Sequence, residues 1–207
     1  MYGTATLSYA NKIFLDVTGR NDWSSTLPSG NNSFFYPSVS TSFILSDLLR
    51  LPEQISFAKL RASWAQVGND TDPYKTAKYY NTSAFPGSAS VSPTLYNARF
   101  KPEISNSIAA GLDWRMVKQR FGLDLAFYNN ITRNQILDVP MDQTTGYTKA
   151  TMNSGKVRNR GIELQLDGTP VKTKNFTWNS TFTWAKNYNK VLSLAAGLTD
   201  GQTIAYT

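Results

Sequence analysis

An all-β fold is predicted: an antiparallel up-and-down meander of about eight strands, forming an incomplete arc of a larger barrel. Three features of the 207-residue sequence predict it. Apolar residues alternate with small polar ones at period two, and successive side chains of a strand point to opposite faces. Connections between these segments alternate, short then long, along the chain. In the second, fourth, fifth, sixth and seventh segments, the mid-strand charge falls on the parity opposite the apolar residues.

The clearest stretch covers residues 103–137, two strands joined by the basic turn Val117-Lys118-Gln119-Arg120. In its first arm Ile104, Ile108, Leu112 and Trp114 share one parity, while Ser105, Ser107, Gly111, Asp113 and Arg115 share the other. In its second arm Phe121, Leu123, Leu125 and Phe127 alternate with Gly122, Asp124, Ala126 and Tyr128. Taken from the start, Ala5, Leu7 and Tyr9 mark a first strand, and Ala10-Asn11-Lys12 a tight turn. Ile13, Leu15 and Val17, against Phe14 and Asp16, mark a second strand ending near Arg20. Residues 21–37 are rich in Ser, Asn, Gly and Pro and read as a long loop. Val39, Thr41, Phe43 and Leu45 form a third strand. Residues 46–54 are a compact connection, with one helical turn capped by Ser46 or Asp47.

Residues 55–67 form a fourth strand, with Leu60, Ala62 and Trp64 against Lys59, Arg61 and Ser63. Residues 68–102 and about 139–158 read as two further long loops. A seventh strand spans 161–168, with Ile162, Leu164 and Leu166 against Glu163, Gln165 and Asp167. After a turn at 169–175, Phe176, Trp178, Phe182 and Trp184 mark the eighth. Residues 192–207 begin a loop that the chain does not finish.

A wall between hydrocarbon and water must read apolar on one face and polar on the other. Aromatics gather at its interfaces, with short turns on one side and long loops on the other. A soluble sandwich also alternates and stands as one alternative. A self-contained small barrel, with a structural or adhesive role, is another. The sandwich does not require long loops on every second connection. Its solvent face would also carry Lys and Glu, where this polar parity is Ser, Thr, Ala, Gly and Asn. Hydrocarbon offers no hydrogen-bond partners, so a spanning sheet must close on itself. Eight strands close around packed side chains, and the small residues here favour a wider barrel. The reading is therefore an arc of eight transmembrane strands in a larger outer-membrane β-barrel, with the turn at 117–120 on the inner side.

Composition narrows function. The chain has no Cys and no His, which excludes disulfides, thiol nucleophiles, Cys/His zinc sites and His-based relays. No pair of its 14 acidic residues is marked out by spacing, so no enzyme, cofactor or metal is expected. The net charge is +7, but the basic residues are scattered at strand ends, so no nucleic-acid partner is expected. No run of about 18 apolar residues offers a transmembrane helix. The opening MYGTATLSYA already alternates, so a fragment without a signal peptide is expected.

Five segments in order carry a resemblance. Gly19-Arg20-Asn21-Asp22-Trp23-Ser24-Ser25 with Phe35-Tyr36-Pro37-Ser38-Val39-Ser40 is the first, and 55–64 ending in Val67-Gly68-Asn69 the second. Pro102-Glu103 leading to Gly111-Leu112-Asp113-Trp114 follows, then 153–164 (NSGKVRNRGIEL), then Asn187-Tyr188-Asn189-Lys190-Val191. These resemble the signatures of SusC/RagA-type TonB-dependent outer-membrane transporters. Asp22-Trp23 departs from the usual aspartate–glycine, and Tyr36 stands where phenylalanine is commoner. The resemblance implies that residues 1–207 are part of a β-barrel domain of about 22 strands, with the plug domain and terminal strands absent. It implies multi-pass insertion in bacterial outer-membrane lipid and uptake of large nutrients, glycans or peptides. It further implies the TonB complex as driver, reached through the missing N-terminal part, and a SusD-like surface lipoprotein as lid.

Candidate contact residues for substrate or lid are Trp23, Phe35 and Tyr36 in one predicted loop, beside Phe34, and Tyr79 and Tyr80, beside Phe85, in the next. Aromatics offer large rigid contact area with polar tips, though the same residues suit loop packing or a girdle. Asp16, Asp113, Asp124 and Glu163 are the lumen-facing polar candidates, either lining a solute path or forming ladders between strands. Asn69, Asp70 and Asp72 are oxygen-rich enough to consider Ca²⁺, which takes about six to eight oxygen ligands, but match no loop template and read as a polar turn.

Overall fold

The computed structural model describes residues 1–82, 85, 87–194 and 205–206. Eight strands form one continuous antiparallel sheet: β1 (Tyr2–Tyr9), β2 (Ile13–Trp23), β3 (Ser33–Ile44), β4 (Ile55–Asn69), β8 (Glu103–Met116), β9 (Phe121–Arg133), β12 (Lys156–Lys172) and β13 (Thr177–Ser193). Short strands occupy the connections on one side: β5 (Tyr80–Thr82), β6 (Ala89–Val91), β7 (Thr94–Leu95), β10 (Ile136–Pro140) and β11 (Lys149–Asn153), with β14 (Ala205–Tyr206) pairing onto β10.

The sheet is open, because β1 and β13 are its two edges and are not paired to each other. That removes the self-contained eight-stranded barrel. Nor, among the described residues, does a second sheet cover the apolar face, so the sandwich fails as well. Leu7, Trp64, Leu125, Phe127, Ile162, Leu166, Phe182 and Trp184 all stand exposed on it. A contiguous apolar face of this kind is rare on soluble monomers and needs another apolar phase against it.

The inner-side turns are as tight as their spacing predicts. Ala10 and Asn11 are both left-handed (φ 50° and 54°), and Lys12 N–H donates to the Tyr9 carbonyl at 2.9 Å. This is the turn whose twist matches a hairpin. The connection 117–120 repeats it with Lys118 and Gln119 left-handed, and Arg120 N–H donating to Val117 O at 3.1 Å. The single helical turn (α1, Leu45–Leu48) forms as expected, but neither Ser46 nor Asp47 caps it. Its N-cap is Ile44, which has no side chain able to accept a bond.

Three predicted boundaries move. Nearly half of the loop at 21–37 is strand, because Asn21–Trp23 pair with Ser33–Phe35 and leave 24–32 as connection. Polar composition misled here, since strands that rise beyond a membrane are wetted on both faces. For the same reason β12 and β13 run to 17 residues each, well past the expected ends, and their turn shifts to 173–176. The loop at 68–102 contains β5–β7, and the loop at 139–158 contains β11 and the end of β10. Much of the unfinished loop at 192–207 lies outside the described residues.

Apart from Ala58 of β4, the buried hydrophobic residues among those described sit in these connections and not in the wall. Leu27, Phe100 and Ile136, one from each outer connection, pack together with Phe34 against them. Asn31 Nδ2 ties the cluster by donating to the Phe100 carbonyl at 3.0 Å. Leu137, Val139 and Ala150 bury the hairpin that follows.

Candidate functional surface: the polar face and the outer rim

Register places Asp16, Asp113, Asp124 and Glu163 on one face, opposite the exposed apolar side chains. Asp16 accepts from Thr6 Oγ1 at 2.7 Å and Ser40 Oγ at 3.4 Å, tying β1, β2 and β3. Asp113 and Asp124 face each other directly across β8 and β9. Like charges in facing positions repel, and two arginines resolve the conflict. Arg61 Nη2 donates to Asp124 Oδ1 at 2.7 Å. Arg115 Nε lies 2.8 Å from Asp113 Oδ1, close enough for attraction though not aligned as a hydrogen bond, and its Nη1 donates to Asp167 Oδ2 at 3.4 Å.

The route these arginines take explains the glycines. Arg61 on β4 faces Gly111 on β8, and its stem crosses that residue to reach Asp124 on β9. Arg115 on β8 likewise crosses Gly122 on β9 to reach Asp167 on β12. A Cβ at either glycine would collide with the arginine. Tyr128 covers Gly161 in the same way. Gly111, Gly122, Gly161, Arg61, Arg115 and Asp167 were not singled out from sequence. Their signal was a glycine facing a long side chain, visible only once the strands are in register. Glu163 has no ion-pair or hydrogen-bond partner among the described residues and lines a groove of ≈ 430 Å³ with Arg61, Asp124 and Gln165.

At the rim the five candidate aromatics separate. Trp23 and Tyr36 line a polar groove of ≈ 530 Å³ with Arg20, Asp22 and Asp70. Tyr36 also meets Phe34 edge-on at 5.1 Å and covers Gly68. Tyr79 stacks on Tyr96 at 5.6 Å, their hydroxyls 3.0 Å apart, and lines an adjoining groove of ≈ 650 Å³ with Tyr74. Tyr80 is exposed. Phe35 lies on the apolar parity and its ring packs over Gly19.

The segments that carried the family resemblance stitch this rim. Arg20 Nε donates to both oxygens of Asp22 at 2.8 Å. Ser24 and Thr26 hydroxyls donate to Asp70. Asn69 donates to Glu103, which also accepts from Ile136 N–H at 2.7 Å. Asn153 bonds Lys101 N–H and the carbonyls of Lys101 and Asn134. Asn69, Asp70 and Asp72 therefore point to three different partners, Asp72 pairing with Lys75 at 2.9 Å, and do not converge on a cation.

In the β10–β11 hairpin, burial alone would push the Asp138 carboxyl up, but donation from Lys149 and Thr151 holds it below the usual carboxylate range.

An open antiparallel sheet, with one face apolar and exposed, the other an ion-paired polar ladder, and outer loops with their own core, defines a wall segment of a membrane β-barrel. The chain belongs to the TonB dependent receptor-like β-barrel family, which it matches over residues 1–207. It is 33% identical over 202 residues to TonB-dependent receptor P26 of Formosa agariphila, covering 93% of this chain and 20% of that protein. It is 25% identical over 217 residues to TonB-dependent receptor SusC of Bacteroides thetaiotaomicron, covering 95% of this chain and 21% of SusC. The chain thus spans about a fifth of the length of these curated relatives. In fold it matches the solved RagAB peptide transporter with TM-score 0.88 at 22% identity, over 99% of this chain and 24% of that one. The siderophore receptor PirA of Pseudomonas aeruginosa matches with TM-score 0.61 at 17% identity, over 92% of this chain and 34% of that one.

Two outcomes follow from the ladder and the hairpin. Gly111→Val is expected to cost about 1–3 kcal/mol by overpacking, read as a lower melting temperature of the folded barrel. Adding Arg61→Ala clears the same space, so the double variant is expected to lose less than the two single losses combined; strict additivity contradicts the crossing. Because Asp138 is depressed in the folded state, its contribution is complete above the ordinary carboxylate pKa of about 3.9. It is lost as pH falls through the lower, folded value. Protection factors at 136–153, taken relative to the intrinsic exchange rate at each pH, are expected to fall on acidification toward pH 3, and Asp138→Asn to remove that fall.

Proposed function

We propose that this chain is an arc of the wall of an outer-membrane transporter for large nutrients, glycans or peptides. The remaining wall strands and the plug belong to the rest of the receptor. That reading is supported by the two unpaired edges, β1 and β13, and by a length of about a fifth of the relatives. Import is driven through the TonB complex, and a SusD-like lipoprotein closes the mouth. The wall carries no catalysis, cofactor or metal.

The observation that carries the proposal is the division of the sheet into two faces. The apolar face meets lipid, and the face bearing Asp16, Asp113, Asp124 and Glu163 lines the lumen. Asp16 and Asp124 are held by neighbouring strands and stiffen the wall, and Asp113 is held by Arg115 of its own strand. Glu163 is left to meet solute. At the rim, Trp23 and Tyr36 in one groove and Tyr79 in the next, with exposed Tyr80, offer stacking surfaces to sugar rings or peptide side chains, or to the lid. A large solute suits the RagAB neighbour, which is described as a peptide importer.

The test is uptake by cells carrying the intact receptor, supplied with defined oligosaccharides and peptides. Deleting the receptor is expected to abolish use of at least one of them. Trp23→Ala with Tyr80→Ala is expected to lower uptake of that solute about five- to 150-fold, from about 0.5–1.5 kcal/mol for each of the two aromatic contacts, with the receptor still assembled. Unchanged uptake by the deletion strain on every oligosaccharide and peptide would contradict the transport reading; unchanged uptake by the variant would contradict the role of these aromatics.

A further inference from the structure

At the outer end of the wall the apolar face stops, and on one flank positive charge replaces it. Register sets Arg133 of β9, Lys156, Arg158 and Arg160 of β12, and Lys186 and Lys190 of β13 on the parity of Phe127 and Ile162. Arg158 directly faces Lys190, and Lys156 directly faces Arg133. Like charges so placed repel, and no ion pair among the described residues offsets them. The ion pairs among the described residues use Arg20, Arg61, Lys75, Arg115 and Lys149, none of these six. Arg158 Nε is buried without a hydrogen-bond partner. At the matching height the other flank is uncharged, carrying Asn21, Phe35, Gln66 and Asn106.

Height along the wall places the cluster. Arg160 and Tyr188 share a row with Ile108 and Trp64. From that row to the inner end of β8 runs 108–116, close to the roughly nine to eleven residues with which a tilted strand crosses the hydrocarbon. Arg160 therefore stands at the hydrocarbon boundary, its guanidinium 5.3 Å from the centre of the Tyr188 ring. Arg158, Lys156, Lys190 and Arg133 stand beyond it, among head groups. Below them Phe127 and Ile162 floor a groove of ≈ 440 Å³ walled by Lys186 and Tyr188.

We propose that this flank binds a phosphorylated, multiply acylated glycolipid of the outer leaflet, of the lipid A type. Its phosphates lie between the facing cations, and an acyl chain enters the Phe127–Ile162 groove. Strand spacing and rise give the head-group cations, from Lys156 to Arg160 and across three strands, a footprint of about 10 by 13 Å. That is too broad for one phosphodiester and suits a sugar head with two phosphates. The proposal rests on the outer-membrane reading above and adds a site on the outside of the wall, away from the transport path.

The experiment uses the intact receptor, purified as a heat-modifiable barrel, and titrates it with diphosphorylated lipid A, with dephosphorylated lipid A and with phosphatidylglycerol. Diphosphorylated lipid A is expected to bind tightest. Arg158→Gln with Arg160→Gln and Lys190→Gln is expected to weaken it about a hundredfold, at the scale of contributions from cations near an anionic surface. Dephosphorylated lipid A is expected to bind the unaltered receptor as weakly as the other lipid binds the variant. Removing the same charge at the inner end, by Lys12→Gln, Lys172→Gln and Lys174→Gln, is expected to change nothing. Equal binding by parent and triple variant, or equal binding of phosphatidylglycerol and lipid A, overturns the site while the barrel persists. Failure of the receptor to form a membrane barrel overturns both the site and the reading beneath it.

Discussion

Everything in this wall follows from the fact that hydrocarbon accepts no unpaired peptide group. Each N–H and C=O within it must find a partner on the neighbouring strand. The eight-strand ladder meets that demand from β2 to β12 on both sides, leaving unpaired rows only along β1 and β13. Unpaired edges are an association hazard, and in a complete barrel each would meet a further strand. Once the ladder fixes register, each side chain is assigned a face, and a slip of one residue would turn the charges of the polar face toward lipid. The ion pairs that cross strands, Arg61 to Asp124 and Arg115 to Asp167, therefore report on register as much as on stability. All four side chains are partly exposed, so the pairs add little net energy themselves.

The chain contains two materials. Its wall has almost no interior: a single sheet thick, it depends on the phases on either side. Its rim is an ordinary small protein core, with Phe100 and Leu137 buried and Asp138 enclosed beneath Lys149 and Thr151. The two are joined at the tops of the strands by Asp70, Glu103 and Asn153, each bridging segments far apart in sequence. The segments that mark the family thus combine bracing residues such as Asn69 and Asn153 with the candidate contact residues Trp23, Tyr36 and Glu163. The bracing residues hold long outer loops in place, and grooves of ≈ 530 and ≈ 650 Å³ open between those loops.

The alternation along β8, β9 and the middle of β12 made fold class, strand pairing and facing legible from sequence, because period two is imposed wherever one face is apolar and the other wet. Above the membrane both faces of a strand are wet and the signal vanishes. That is why Asn21–Trp23 and Ser33–Pro37 read as loop although they pair in register. The carboxylates of the polar face could be named individually, but not their partners. The Arg61–Gly111–Asp124 crossing joins three strands and exists only at the level of register. Likewise the aromatics could be placed at the rim, but Phe35 and Tyr36, adjacent in sequence, lie on opposite faces.

The most direct measurement compares the two faces in the intact receptor within its native membrane. Single cysteines replace Leu15, Leu125 and Leu164 on one parity and Asp16, Asp124 and Glu163 on the other, each carrying a spin label. A lipid-soluble relaxation agent is expected to reach the first three and a water-soluble one the second three. If Asp16, Asp124 and Glu163 meet lipid while the leucines are shielded, the assignment of faces is wrong, and with it the lumenal ladder and the outer lipid site.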